Sequence, residues 1–335
     1  MTMAADGVSN GFKIYILCVL TFNATGYILL VRYSKSREGP KYLSTTTVLL
    51  SELSKLCISV CVLTVQKGLV GMAQDVYKNV ICNPRDSLKM AVPSVIYAIQ
   101  NNLAFYALTY VDAATYQVTY QLKIITTAMF MVIMLGKKLN RTQWLAIVLL
   151  FCGVALVQLD ALEAKEEDKE KSFSVRGLVA IIMSCMCSGF AGVYFEKILK
   201  GSETTLWIRN IQLYLFGLVS AGSGVILSDF STIQEKGFFY GYNIYIFVII
   251  AMASVGGLYT SIVVKYLDNI IKGFSTAISI ILAALVSLYL FNKHFGVLFI
   301  IGTGLVVSAV YLYSLPKKPE PTIVNGTMMR PKEVV

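Results

Sequence analysis

The stretch DAATYQVTYQLKIITTAMFMVIMLGKK, from Asp112 to Lys138, carries two rings and one cation at helical spacing. Tyr116 and Tyr120 are one turn apart and Lys123 follows three residues later, so a helix would place all three on one stripe. An ammonium can hold a phosphate, and aromatic faces can stack on a base. Between Ala113 and Leu135 there is no other charge, and the run is long enough to cross a bilayer. A charge at mid-bilayer costs about 2.5–3.5 kcal/mol on insertion scales. Lys123 has no sequence partner within a turn and lies too deep to snorkel. A water-filled cavity that binds anions is the reading that accounts for it.

Other charges fall inside apolar runs. Glu52 and Lys55, three apart in LLSELSKLCIS, either neutralise each other or act on a substrate. Glu196, Lys197 and Arg209 lie near the ends of their runs, where snorkelling to water is expected, and Lys272 sits at a similar place. Uncharged polar groups are also frequent: Tyr97, Gln100, Asn101, Asn102, Gln117, Gln121, Asn210, Gln212 and Tyr214. They suit a nucleotide cradle as a set, although any one of them singly is better read as glue between helices. Gly189 and Gly192, like Gly256 and Gly257, form small-residue patches that allow close helix approach. No strand and no Gly-Lys-Ser/Thr accompany them, so they are not phosphate loops.

Enzymatic chemistry finds little support. No nucleophile–base set and no redox fingerprint stands out, and no cofactor is expected. One His and seven Cys give no clustered metal ligands. Six of the cysteines fall in apolar runs and read as small core residues, while Cys82 lies in a loop.

The elements that must position these residues are membrane helices. The chain has 335 residues, 56% hydrophobic and 14% charged, against about 25% charged in soluble proteins. Ten apolar runs are long enough to span: 11–32, 43–65, 89–110, 113–135, 142–159, 177–199, 205–228, 244–266, 270–291 and 296–315. The segment 66–88 reads as a mildly amphipathic loop, and the charged 160–175 as a solvated linker. A formal charge of +10 is scattered through loops, which fits membrane topology and not nucleic-acid binding. The opening MTMAADGVSNGFK lacks a secretory signal, so the first span is expected to be retained. The bias of Lys and Arg, with the basic tail 316–335, puts both termini in the cytosol. On that topology the sequons at Asn23, Asn140 and Asn325 carry no glycan.

The chain also repeats itself. TYVDAATYQVTYQLKIITTAMFMVIMLGKKLN aligns with KYLDNIIKGFSTAISIILAALVSLYLFNKHFG, pairing Tyr110 with Tyr266, Asp112 with Asp268, Ala128 with Ala284 and Lys137 with Lys293. The copies are five spans apart, and an odd number inverts the second copy in the membrane. The expected fold class is all-α, with a five-helix repeat over 1–159, the linker at 160–175 and an inverted five-helix repeat over 176–315. Carriers built this way hold substrate near the midplane between the halves.

Five motifs in order make the family specific: VPSVIYAIQNNLAFYALTYVDAATYQVTYQLKI, CSGFAGVYFEKILK, LWIRNIQLY, GFFYGY and VVKYLDNIIKGF. They closely resemble the Golgi nucleotide-sugar transporters, in the branch that carries UDP-galactose, UDP-N-acetylglucosamine and CMP-sialic acid. The resemblance implies the drug/metabolite transporter fold, a Golgi membrane location, and exchange of a cytosolic nucleotide sugar for a lumenal nucleoside monophosphate. It suggests substrate roles for Lys55, Tyr97, Asn101, Tyr116, Lys123, Ser188, Gly189, Asn210, Tyr214 and Lys272, and so lifts Lys272 above snorkelling. EGPKYLS and ATYQVTYQLKIITTA look like the UDP-N-acetylglucosamine carriers, and SAVYLYSLPKK like the UDP-galactose carriers. GFFYGY and ASVGGLYTSIVVKY look like the CMP-sialic acid carriers. A UDP-sugar exchanged for UMP is the leading expectation, and CMP-sialic acid exchanged for CMP the alternative. Association with a second copy, with Golgi glycosyltransferases or with membrane lipid stays open. A membrane-embedded glycosyltransferase would need a facing carboxylate pair, which the positions of Glu52, Glu196, Asp112 and Asp268 do not offer. A scaffolding subunit would leave the buried lysines without a purpose.

Overall fold

The computed structural model describes residues 8–111, 113–163, 174–291, 296–315, 322–324 and 327–329. Its helices are α1 (Asn10–Ser36), α2 (Ser44–Val76), α3 (Pro84–Leu88), α4 (Ala91–Tyr110), α5 (Ala113–Thr119), α6 (Lys123–Leu135), α7 (Arg141–Glu163), α8 (Val175–Lys200), α9 (Leu206–Ser228), α10 (Phe230–Lys236), α11 (Ile244–Tyr266), α12 (Asn269–Phe291) and α13 (Val297–Ser314). A single 3₁₀ turn, Tyr120–Leu122, joins α5 to α6, so these two make one span. Nine segments of the described chain are long and apolar enough to cross a membrane. The tenth expected span is α4, a full-length helix diluted by Gln100, Asn101 and Asn102. Outward side chains such as Val65 and Leu227 are 86% and 85% exposed, an arrangement that only lipid surroundings make favourable.

Helix starts are fixed by local chemistry. Ser9 accepts from the Phe12 N–H at 3.2 Å, and Asn243 from Tyr245 at 3.0 Å. Asn140 and Gln143 cap α7 reciprocally, the Gln143 N–H donating to Asn140 at 2.7 Å. Gly136 ends α6 at φ 63°, and the Lys137 N–H then reaches back to the Met131 carbonyl at 3.2 Å.

The internal repeat is visible in the element boundaries. Tyr110 ends α4 and Tyr266 ends α11; Ala113 and Asn269 begin the next spans; Leu135 and Phe291 end them; Arg141 and Val297 begin the last pair. All four pairs keep the alignment read from the sequence. Packing follows the same exchange. α8 lies on α4 and α6, as α1 lies on α11 and α12, while α2 meets α9 and α7 meets α13. At the α7–α13 crossing two glycines face each other: a Cβ on Gly153 would lie 2.8 Å from the Gly302 carbonyl, and one on Gly302 2.7 Å from that of Gly153. Asp112, Lys293 and most of the charged linker fall outside the described residues.

Two expectations need correcting. The segment 66–88 is mostly helical: α2 breaks at Gly68 (φ 72°, ψ 167°), resumes to Val76, and passes through a π turn, Tyr77–Ile81, into α3. Of the six cysteines read as core, only Cys185 is buried, and Cys18, Cys57 and Cys61 lie on exposed faces. A bilayer accepts apolar thiols on the outside of a bundle as readily as inside it, so composition could not tell the two apart. The tail adds a short antiparallel ladder, Thr322–Val324 with Thr327–Met329.

Candidate functional site

A cavity of about 490 Å³ lies between the two halves. The first half supplies walls from α1, α4, α6 and α7, and the second from α8, α11 and α12. Lys123 enters from the first half and Lys272 from the second. Among the described residues neither has a carboxylate in ion-pairing range. An ammonium left without a counter-charge at membrane depth requires water or an anion.

The local sequence explains how Lys123 gets there. The 3₁₀ turn Tyr120–Leu122 interrupts the span just before it, and a 3₁₀ stretch inside a helix often marks a functional hinge or local strain. Polar side chains take up the backbone groups that the break disturbs. The Cys185 thiol donates to the Tyr120 carbonyl at 3.5 Å, and Thr127 to that of Lys123 at 2.7 Å. The Lys123 ammonium rests 4.5 Å from the centre of the Tyr120 ring. Tyr120 stacks in turn on Tyr116, with centroids 5.5 Å apart and planes 11° apart. The Tyr120 hydroxyl accepts from Gln100 at 2.9 Å and donates to Ser188 at 3.3 Å.

Four of the ten residues singled out from the sequence line this cavity: Tyr97, Lys123, Ser188 and Lys272. Tyr116 stands behind Tyr120, packed against the cluster of Ala107, Ile181 and Cys185. Asn101, one turn beyond Tyr97, is exposed. Gly189 is a crossing point: a Cβ there would lie 2.8 Å from the Thr126 hydroxyl and 2.9 Å from the Thr126 and Thr127 backbone. It brings α8 against α6 and offers a ligand no side chain.

Lys55, Asn210 and Tyr214 are not among the residues that line this cavity. Lys55 pairs with Glu52 at 2.5 Å and lies 4.8 Å from the centre of the Tyr214 ring. Asn210 is fully buried one turn before Tyr214, and neither atom of its amide has a protein partner. On α11 Gly256 faces Asn23 at the cavity, and the next residue, Gly257, faces Lys55.

The snorkelling expectation fails for two of its three residues. Arg209 is 2% exposed, ion-paired to Asp86 at 2.7 Å and donating to Gln212 at 2.9 Å. Glu196 is 1% exposed and pairs with Lys200 at 2.6 Å. Its other oxygen accepts both the backbone and the side-chain amide of Asn269 at 2.9 Å. Arg209 found a carboxylate on α3, and Glu196 found Lys200 one turn on in α8 together with the amides of Asn269 on α12; burying a paired charge costs far less than burying a lone one. Lys197 is exposed, as expected.

Sequence reasoning missed the cavity contributions of Asn23, Tyr27, Thr260, Asn269 and Ser275. Asn23 had drawn notice only as a sequon, yet it donates to the Met252 carbonyl at 3.0 Å inside the bundle. A lone amide amid apolar neighbours was the available signal. At one end of the bundle Lys137 pairs with Asp268 at 2.5 Å and donates to the Tyr313 hydroxyl at 3.2 Å. Burial opposes the charge on Lys137, but the Asp268 carboxylate and the Tyr313 hydroxyl outweigh it and raise its pKa. No group of metal-binding side chains occurs among the described residues.

The arrangement is a central, cation-lined cavity at the contact of two repeated halves. Comparison with known proteins gives it a family. The family model described as "Nucleotide-sugar transporter" matches residues 8–314. The human UDP-N-acetylglucosamine transporter is 44% identical over 317 residues, covering 92% of this chain and 96% of its own. The dog (Canis lupus familiaris) UDP-galactose translocator is 42% identical over 315 residues, 93% of this chain and 79% of its own. A solved crystal structure shares the fold with a TM-score of 0.63 at 13% identity, over 91% of this chain and 97% of that one. With its matched region running from the first span to the last, the chain belongs to the nucleotide-sugar transporter family, and it is a transporter and not an enzyme.

Proposed function

We propose that the protein is a nucleotide-sugar:nucleoside monophosphate antiporter. It carries UDP-galactose and/or UDP-N-acetylglucosamine into the Golgi lumen in exchange for UMP. The observation that carries this reading is the cavity shared by Lys123 and Lys272, one from each half and neither with a carboxylate in range among the described residues. The relatives' names favour UDP-sugars.

The two lysines hold the phosphates, while Tyr97, Ser188 and the Tyr116–Tyr120 stack contact or support the nucleoside. Asn101 on the Tyr97 face meets the ligand near the cavity mouth. Gly189 acts by bringing α8 close to Lys123. Asn210, beside Lys55 and Tyr214, has amide hydrogen bonds to give as α11 moves. The moving bodies are residues 1–159 and 176–315, joined by 160–175, with both termini cytosolic.

A nucleoside monophosphate keeps the base, the ribose and one phosphate, so the same cradle accepts it. Both species carry about two negative charges at neutral pH. The exchange is then close to electroneutral and needs no ion gradient. An empty cavity leaves two lysines uncompensated in the membrane, which disfavours reorientation without cargo and couples the two fluxes.

Liposomes holding the purified protein, preloaded with UMP, CMP or neither, test this with a panel of labelled nucleotide sugars. UMP-loaded vesicles should take up a labelled UDP-sugar and empty ones should not. Uptake independent of the internal nucleotide would refute antiport. Uptake of CMP-sialic acid alone, against CMP, would refute the UDP assignment.

A further inference from the structure

We infer that Lys137 and Asp268 are a positioning pair that sets the separation of the two cavity lysines. The inference rests on the reading of Lys123 and Lys272 as the phosphate holders.

Lys123 begins α6, and Lys137 is held at the far end of that helix. The left-handed Gly136 turns the chain there, and the bond from the Lys137 N–H to the Met131 carbonyl fixes Lys137 to the helix terminus. Asp268 immediately precedes α12, and Lys272 lies one turn inside it. One Asp268 oxygen accepts the Ile271 N–H at 2.8 Å, and the other takes Lys137 at 2.5 Å. The ion pair therefore joins the end of the Lys123 helix to the start of the Lys272 helix, and one half of the repeat to the other.

Further bonds keep both partners in place. Tyr313 on α13 accepts from Lys137, and Glu196 on α8 holds Asn269 at the first residue of α12. Two ammonium groups in one low-dielectric cavity repel, so something must oppose their separation when no anion lies between them. Among the described residues, Asp86–Arg209 also joins the halves at this end of the bundle, but it ties α3 to α9, and neither of those helices carries a cavity lysine. Lys137–Asp268 acts directly on the pair that does.

A diphosphate can reach across both lysines, whereas a monophosphate presents a single group. Spacing should matter more for the first ligand than for the second. Neutralising one partner strands a charge, so the informative variant is the double neutral Lys137→Met/Asp268→Asn, in which the introduced amide can still cap α12. In proteoliposomes its KM for the UDP-sugar should rise about five- to tenfold, about 1–1.4 kcal/mol of binding, with the KM for UMP within about twofold of wild type. Lys137→Arg keeps the pair and should hold both values within about twofold. Asp268→Glu keeps the charge but lengthens the arm, and should raise the UDP-sugar KM alone, which provides a readout if the double variant does not fold. Equal changes for the two ligands, or none, in either the double variant or Asp268→Glu would overturn the inference. Lys123→Ala run beside them separates the two readings: full exchange there refutes the phosphate role itself, whatever the variants of the ion pair do.

Discussion

Replacing Lys123 by Met keeps most of the side-chain volume and removes only the charge. The structure gives the two sides of the balance. An uncompensated ammonium in a span costs about 2.5–3.5 kcal/mol on insertion scales. The Tyr120 face at 4.5 Å returns about 0.5–2 kcal/mol of that. The ligand-free variant should then be more stable than wild type by about 0.5–3 kcal/mol, a rise of about 1–4 °C in Tm for a chain of this size. Ligand binding should move the other way. Losing a hydrogen bond to a charged group costs about 1.5–3 kcal/mol, which is a roughly 10- to 150-fold weaker affinity. Thermal unfolding in detergent with and without UMP reads both effects on one sample, and exchange in proteoliposomes reads the consequence. A variant that is less stable without ligand, yet keeps its full stabilisation by UMP, would show that Lys123 serves packing and not the anion.

Further outcomes follow from individual contacts. Gly189→Ala puts a Cβ at 2.8–2.9 Å from Thr126 and Thr127, where backbone must give way, and should destabilise the protein by about 1–3 kcal/mol by thermal unfolding; an unchanged Tm would deny the close α8–α6 crossing. Tyr120→Phe keeps the ring under Lys123 but loses the bonds to Gln100 and Ser188, so exchange should weaken only about three- to tenfold, whereas Tyr120→Leu should do much more. Partial burial opposes ionisation of Asp86, but the bonds and charges of Arg209 and Lys89 hold its pKa below the ordinary value. Because the folded-state pKa is the lower one, the Asp86–Arg209 contribution is complete above the unfolded pKa and fades as pH falls through the folded value. Asp86→Asn should flatten that acid limb of Tm against pH and cost about 1–3 kcal/mol at neutral pH, since Arg209 stays buried.

Much of this protein is legible from one chain because the bilayer constrains each span locally. A helix must satisfy its own backbone, so apolar runs of sufficient length were enough to announce membrane helices, nine of which are long and apolar enough to cross among the described residues, and the repeat in their boundaries followed from the echo between Tyr110 and Tyr266. Lys123 was legible for the same reason, since a cation in the middle of a span has few inexpensive explanations. What stayed hidden depends on neighbours far away in sequence. Arg209 and Glu196 looked like snorkelling side chains until Asp86 and Asn269 were brought beside them. Lys55 and Tyr214 were singled out together with Tyr97 and Ser188, but Lys55 turns to Glu52 and the Tyr214 ring and neither lines the cavity. Asn23 offered only a lone amide in an apolar run, which does not say what the side chain faces. Span length, charge and period are written residue by residue, whereas which face of a helix meets water, lipid or another helix is fixed only when the helices pack together. That assembly decided which lysines share a cavity and which found a carboxylate.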